Sequence, residues 1–291
     1  MSTLTKRTLS TLILLATLCG AVFLPYKMRI VCFLILCLFL GFGMTWEFCK
    51  IINRENRYNI INLITSISVS AIVVFDVIFK GETTTHVILT EMIISSLLFW
   101  IAILFLCKKQ DYMLAVLKAF TVFAAFSVSI KVIVFIYFYD SDSSSIPATF
   151  LFFVLATKSG DIGAYLFGTL CNTITKGKNH KLVPSVSPGK SWEGLIGGLA
   201  FSLTVCFCVL VIFPDNRIGV TSNDVFKTII VGTLLFFGGM LGDLSESSIK
   251  RTFDVKDSGK CLPGIGGLYD LTDSLIVDSL VFFLILRVIN S

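Results

Sequence analysis

The chain has 291 residues, of which 55% are hydrophobic and only 15% charged, with a mean hydropathy of +0.88 and a formal net charge of +5. A soluble domain carries about 25% charged residues, so the composition excludes that class and points to an all-α polytopic membrane protein. The nine cysteines fall mostly inside apolar runs, with no C-x-x-C and no zinc spacing, and are expected as free thiols that behave as small apolar side chains.

Crossing a bilayer takes about 20 apolar residues. Runs of that kind occur at 8–25, 29–49, 58–79, 86–107, 112–139, 147–170, 192–213, 225–242 and 274–290. Nine spans with a cytoplasmic N-terminus place most cations, among them Lys50, Arg54, Lys176, Lys181, Lys250 and Lys256, on the cytoplasmic side. Lys27, Arg29, Lys80, Arg217 and Lys227 then fall on the other side, as the bias of Lys and Arg toward the cytoplasm requires. Lys6-Arg7 and the apolar core after them resemble a signal peptide, but no small-residue cleavage pattern follows, so an uncleaved first helix is expected.

The first half is mostly Leu, Ile, Val and Phe. Glu47, Asp76 and Glu91 fall in or at the ends of spans, where the expectation is an interfacial or packing role. Lys118 and Lys131 are expected to snorkel toward opposite surfaces.

From Pro147 the texture changes. Lys158 and Asp161 are three residues apart on one helical face, with Tyr165 a turn further on. Gly160, Ala164 and Gly168 make a second face of small residues against which another helix can pack closely. Such a face fits a self-compensating ion pair or a functional site. The next segment, Cys171 to Glu193, holds Lys176, Lys178, His180, Lys181 and Lys190 and the tract Ser185 to Ser191. These cations suit nucleotide phosphates and anionic headgroups equally well, and the tract lacks the G-x-x-x-x-G-K-[ST] of a Walker loop. Trp192-Glu193-Gly194 then leads into a span with Gly194, Gly197 and Gly198.

If the helix of span 225–242 continues past Gly242, then Asp243, Glu246, Ser247 and Lys250 share one face over about 10 Å. The stretch Gly242 to Ser274 holds Asp243, Glu246, Asp254, Asp257, Asp270 and Asp273 with Lys250, Arg251, Lys256 and Lys260. Carboxylates are the usual protein ligands of Mg²⁺, and Lys and Arg neutralise phosphate. The Pro263-Gly264-Ile265-Gly266-Gly267 turn lets backbone approach a ligand closely. A solvated loop has a similar composition. There is no G-x-S-x-G and no H-E-x-x-H, and His86 and His180 are the only histidines, which argues against hydrolytic triads. Nucleotidyl transfer needs none of these, because an ionised phosphate monoester attacks without a strong base and the remaining work is positioning and charge neutralisation.

The run Ser248-Ile249-Lys250-Arg251, Val255-Lys256-Asp257, Leu262-Pro263-Gly264, Gly266-Gly267 and Asp270 to Asp273-Ser274 closely resembles the motif of the phosphatidate cytidylyltransferase (CDP-diacylglycerol synthase) family. Asp161 with Ala164-Tyr165, His180-Lys181-Leu182, Ser187-Pro188 with Lys190-Ser191, Glu193-Gly194 and Gly242-Asp243-Leu244 with Glu246-Ser247 are similar to its upstream pieces. The resemblance covers the C-terminal half. It implies an N-terminal hydrophobic region, 1–140, and a C-terminal catalytic region, 141–291, within one membrane unit. The implied enzyme joins CTP and phosphatidate into CDP-diacylglycerol and pyrophosphate, with Mg²⁺ and a monovalent cation such as K⁺ in the site.

Carried over by position, the resemblance makes Asp243 and Asp270 the metal ligands, supported by Asp273 and Asp257. Lys250, Arg251, Lys256, Lys181 and Lys190 contact phosphates, and Asp161 and Tyr165 line a membrane-side cavity. His180, Ser187, Glu193, Glu246, Ser247, Gly266 and Gly267 complete the substrate site. The expected partners are CTP, phosphatidate, the lipid bilayer and a second copy of the chain, with no nucleic acid; the expected place is the bacterial inner membrane, with the site facing the cytoplasm. Two positions depart from the family pattern: Ile265 stands where it has His, and Leu271 where it has Arg. An active, diverged enzyme is expected, with His180 or Lys260 standing in for a lost donor. The alternatives are another CTP-dependent lipid transferase or kinase, and, from Lys158 and Asp161 within a span, a transporter.

Overall fold

The computed structural model describes residues 3–55, 58–78, 111–140, 146–176, 178–214, 218–220, 224–259, 261–262 and 266–289. Among them are the helices α1 (Thr3–Phe23), α2 (Tyr26–Ile52), α3 (Asn59–Ile78), α4 (Asp111–Phe138), α5 (Ala148–Ile174), α6 (Trp192–Ile212), α7 (Val225–Thr252) and α8 (Leu268–Ile289). One antiparallel hairpin, β1 (Lys181–Val183) with β2 (Ser187–Ser191), interrupts them, so the protein is a polytopic helical membrane protein.

Six helices, α2 to α7, are long and apolar enough to cross a membrane. Six of the nine expected spans meet that measure among the described residues. The apolar part of α1 is the shorter Ser10–Phe23, α8 carries Asp270, Asp273, Asp278 and Arg287, and the run 86–107 lies outside the described residues, together with Glu91. The span expected to end at 242 continues as helix to Thr252. No Pro follows Gly242 within it, and Lys250 pairs with Glu246 one turn back at 3.0 Å. With 27 residues in α5 and 28 in α7, these helices run about 40 Å, longer than the roughly 30 Å hydrocarbon core.

The chain forms two compact units. The first comprises Met1–Phe138 and Phe253–Thr272, with α2 packed on α1, α3 and α4. Phe33 stacks on Tyr137 with ring centroids 3.6 Å apart, and the Tyr137 hydroxyl donates to the Ala21 carbonyl at 2.8 Å. Tyr269 sits among Phe48 and Phe126 at 4.8 and 5.8 Å. Lys131 does not snorkel. Its Nζ donates to Asp76 Oδ1 at 2.9 Å, both residues buried, because an inward-facing cation in an apolar bundle is stable only beside an anion.

The second unit comprises Tyr139–Thr252 and Asp273–Ser291. Asp140 starts it by accepting both the backbone N–H and the hydroxyl of Thr149, which satisfies an orphan donor in the first turn of α5. The two small-residue faces anticipated from sequence meet here. A Cβ on Gly198 of α6 would lie 2.9 Å from the Gly160 carbonyl oxygen, 3.0 Å from Ala164 Cβ and 2.9 Å from the Phe236 ring of α7. Glycine is therefore what lets the three helices close, and Ser202 adds a hydrogen bond from its hydroxyl to the Ala156 carbonyl at 3.0 Å.

Candidate functional site

The hairpin leads directly into α6. Ser191 closes β2 opposite Lys181, and its hydroxyl accepts the Gly194 N–H at 3.1 Å, an N-cap that fixes where the helix begins. Asn179 Nδ2 donates to the Gly168 carbonyl at 2.8 Å, and Arg251 Nε donates to the Val186 carbonyl at 3.4 Å, tying the hairpin to α5 and α7. Between hairpin and helices the second unit encloses a cavity of about 290 Å³. Asp161, Ala164 and Tyr165 of α5 line it, with Ser187 and Lys190 of β2, Gly194 of α6, and Phe236, Met240 and Asp243 of α7.

The lining combines apolar residues, Ala164, Phe236 and Met240 among them, with the charged Asp161, Lys190 and Asp243. Lys190 Nζ lies 3.1 Å from Asp243 Oδ2. Lys158 Nζ donates to Asp161 Oδ2 at 3.2 Å and to Ser274 Oγ at 2.6 Å, while the Ser274 hydroxyl donates to Asp161 at 3.1 Å. The Asp273 carboxyl interacts electrostatically with both Asp243 and Glu246. Asp278, completely buried, accepts the Thr157 hydroxyl at 2.7 Å beside Gly238, where any side chain would overlap it.

The structure thus brings together Asp161, Tyr165, Ser187, Lys190 and Asp243 around the cavity, with Asp273, Glu246 and Lys250 in the same unit. His180 and Lys181 do not line it. His180 is exposed and pairs through Nδ1 with Glu193 Oε1 at 2.8 Å, and Lys181 is exposed on β1. Arg251 is exposed and donates one bond, through Nε, to the hairpin backbone, and Ser247 is half-buried on α7. Thr157 and Asp278 were not anticipated, although a carboxylate in the middle of an apolar run is a signal of its own.

The remaining predicted residues belong to the first unit. Lys256 and Asp257 are exposed in the segment before α8. Asp270, third residue of α8, accepts the Gly267 N–H at 3.0 Å and the Ser258 N–H at 3.2 Å, the reach-back of an N3 carboxylate to the start of its helix. Leu262 and Gly266 exchange two backbone bonds of 3.0 and 3.1 Å, and Gly266 has φ +126°, which excludes a side chain there. Ile265 and Lys260 lie outside the described residues, and Leu271 is half-buried on α8. In the same loop, burial first and the Glu47 carboxylate second push the exposed Cys261 thiol above its ordinary pKa.

Among the described residues no three of His, Cys, Asp and Glu form a ready metal cage. Mg²⁺ needs less, since one or two carboxylates suffice when substrate phosphates and water complete its shell. Asp243 and Asp273 are the neighbouring carboxylates that could supply such ligands, with Lys190 Nζ already 3.1 Å from Asp243.

The chain matches the model of the cytidylyltransferase family over residues 5–289. It is 42% identical over 137 residues to the uncharacterized protein YnbB of Escherichia coli (strain K12), covering 47% of this chain and 42% of that protein. It is 40% identical over 154 residues to the phosphatidate cytidylyltransferase of Staphylococcus saprophyticus, covering 53% of this chain and 54% of that one. To the protein of the same name from Staphylococcus aureus (strain COL) it is 39% identical over 154 residues, with the same coverage. The chain spans about half the length of the curated relatives it matches.

Proposed function

The chain belongs to the cytidylyltransferase family, and from that premise we propose that it is a phosphatidate cytidylyltransferase, converting CTP and phosphatidate to CDP-diacylglycerol and pyrophosphate. The observation that carries the reading is the cavity lined by Lys190, Asp243 and Asp161 together with apolar side chains, with Lys158 and Ser274 bonded to Asp161 behind it. A phosphate oxygen of phosphatidate attacks the α-phosphorus of CTP, a new P–O bond forms, and the bond to the β-phosphate oxygen breaks. Pyrophosphate leaves with the electron pair. The nucleophile is already ionised, so the chain supplies position and countercharge.

In this reading Lys190, which lines the cavity, holds a phosphate, and Lys250 and Arg251 screen the departing charge. The apolar wall at Ala164, Phe236 and Met240 receives the lipid end. Lys158 and Ser274 hold the Asp161 carboxylate in one orientation at the cavity wall. Asp243 with Asp273 would hold Mg²⁺, and the family resemblance adds Asp270 and a monovalent cation such as K⁺ to the same chemistry. When bound, the metal neutralises charge that builds on the phosphate oxygens. The N-terminus and the reaction face the cytoplasm in a bacterial inner membrane, and the working form is a homodimer.

The test is Mg²⁺-dependent pyrophosphate release from CTP and phosphatidate by purified protein, wild type and Asp270→Ala, with CTP labelled in the cytidine and in the γ-phosphate. Cytidine label in the lipid product supports the reading. Transfer of the γ-label alone identifies a kinase instead, and equal release by Asp270→Ala would remove that residue from the metal site.

A further inference from the structure

Glu47 lies near the end of α2, in the half of the chain that holds little polar chemistry, and only 6% of it is exposed. Its Oε2 accepts the Ser258 hydroxyl and the Tyr269 N–H, both at 3.1 Å. Ser258 passes the connection on. Its backbone N–H donates to both carboxylate oxygens of Asp270 at 3.2 Å, and its Oγ accepts the Asp270 N–H at 3.3 Å. The segment before α8 is shaped around this carboxylate, since a Cβ on Gly259 or Gly267 would run into Glu47.

An apolar side chain would fill a packing site at less cost, because a buried carboxylate is costly unless its acceptors are met. Here Oε2 is met twice, by groups that settle where Asp270 points, while Oε1 is buried with no hydrogen-bond partner among the described residues, a cost that a carboxylate kept only for packing would not justify. We propose that Glu47 is the positioning residue for Asp270, acting through Ser258 to hold that carboxylate in register for the reaction. This rests on the proposed cytidylyl transfer; Glu47 itself touches no reacting atom.

The experiment combines hydrogen–deuterium exchange of the 253–272 peptide with steady-state kinetics, normalised to folded protein, for wild type, Glu47→Ala, Glu47→Gln and Ser258→Ala. In Glu47→Ala the amides of this segment are expected to exchange about 10- to 100-fold faster, as loss of a charge-assisted hydrogen bond implies. The kcat is expected to fall about 10²-fold, the effect of a misplacement near 1 Å, with KM for CTP changed by less than about threefold. Glu47→Gln, which keeps an acceptor oxygen, is expected to recover much of both losses, a rescue that generic destabilisation does not give. Wild-type exchange in Glu47→Ala overturns the proposal, and so does faster exchange at wild-type kcat. If Glu47→Ala does not fold, Glu47→Gln and Ser258→Ala decide, and wild-type behaviour of both overturns it. Should the wild-type protein transfer no cytidylyl group, the functional reading fails, and the exchange data alone then uphold or overturn the clamp.

Discussion

Replacing Lys190 with Met removes the ammonium from the cavity lining while keeping most of the stem. The Lys190–Asp243 pair spans 3.1 Å, with 24% and 27% of the two side chains exposed. Lys190 Nζ itself is shielded from water, so Lys190→Met is expected to cost more than the ~1 kcal/mol of an exposed pair and less than the ~3–5 kcal/mol of a fully buried one, and the kinetics are normalised to folded protein. Contact with a phosphate is worth about 1.5–3 kcal/mol for a hydrogen bond to a charged group, which is about 10- to 150-fold in kcat/KM. Pyrophosphate release at several CTP concentrations, on protein checked by size exclusion and thermal unfolding, separates the two effects. Lys190→Arg is expected to fall between Met and wild type, because it keeps the charge and changes the donor geometry. A kcat/KM for Lys190→Met within about threefold of wild type would refute the assignment; so would a loss that the unfolded fraction accounts for.

Gly198→Ala is expected to cost about 1–3 kcal/mol by overpacking, because its Cβ would press on the Gly160 carbonyl, a backbone atom that cannot swing away; a fall in Tm checks it. Asp76→Asn breaks a buried ion pair and is expected to lower stability by about 3–5 kcal/mol, with much of it regained in Asp76→Leu with Lys131→Met, both read by thermal unfolding in detergent. Removing divalent cations with EDTA is expected to abolish pyrophosphate release and Mg²⁺ to restore it, with Asp243→Asn needing more Mg²⁺ for half-maximal rate. The Glu47 charge raises the Cys261 pKa, so Glu47→Gln is expected to lower that pKa, enlarge the thiolate fraction at pH 8 and speed maleimide labelling of Cys261. An unchanged or slower rate would contradict that sign.

Features that repeat along a helix were legible before the fold. Apolar runs announced the helices, and the Gly160, Ala164, Gly168 and Gly194, Gly197, Gly198 spacings announced that α5 and α6 pack closely. The i, i+3 placement of Lys158 and Asp161 announced their contact, whereas the end of α7 did not show: the shared face of Asp243, Glu246, Ser247 and Lys250 made continuation past Gly242 one option, which the structure takes. Pairings at long range were not legible, because periodicity carries no information about which helix comes to lie opposite. Lys131 therefore looked like a snorkelling cation until α3 placed Asp76 beside it. Glu47 looked like an interfacial carboxylate because Ser258 and Tyr269 are more than two hundred residues away in sequence. The resemblance assembled the charged residues as one set, whereas the structure puts Lys190 and Asp243 on the cavity and leaves His180 and Lys181 away from its lining.

The buried polar positions of α8 also bear on how the protein is made. Asp278 lies midway along Leu268–Ile289, with Asp273 on one side and Arg287 on the other. At the centre of a helix entering the bilayer an aspartate costs about 2.5–3.5 kcal/mol, against only about 0.3–0.6 gained per Leu, Ile, Phe or Val. α5 precedes α8 in the chain, so Thr157 and Lys158 are made before the Asp278 and Ser274 they bond. The order of synthesis thus supplies the polar partners first, and α8, too charged to count among the helices apolar enough to cross a membrane alone, docks as a client of helices made before it.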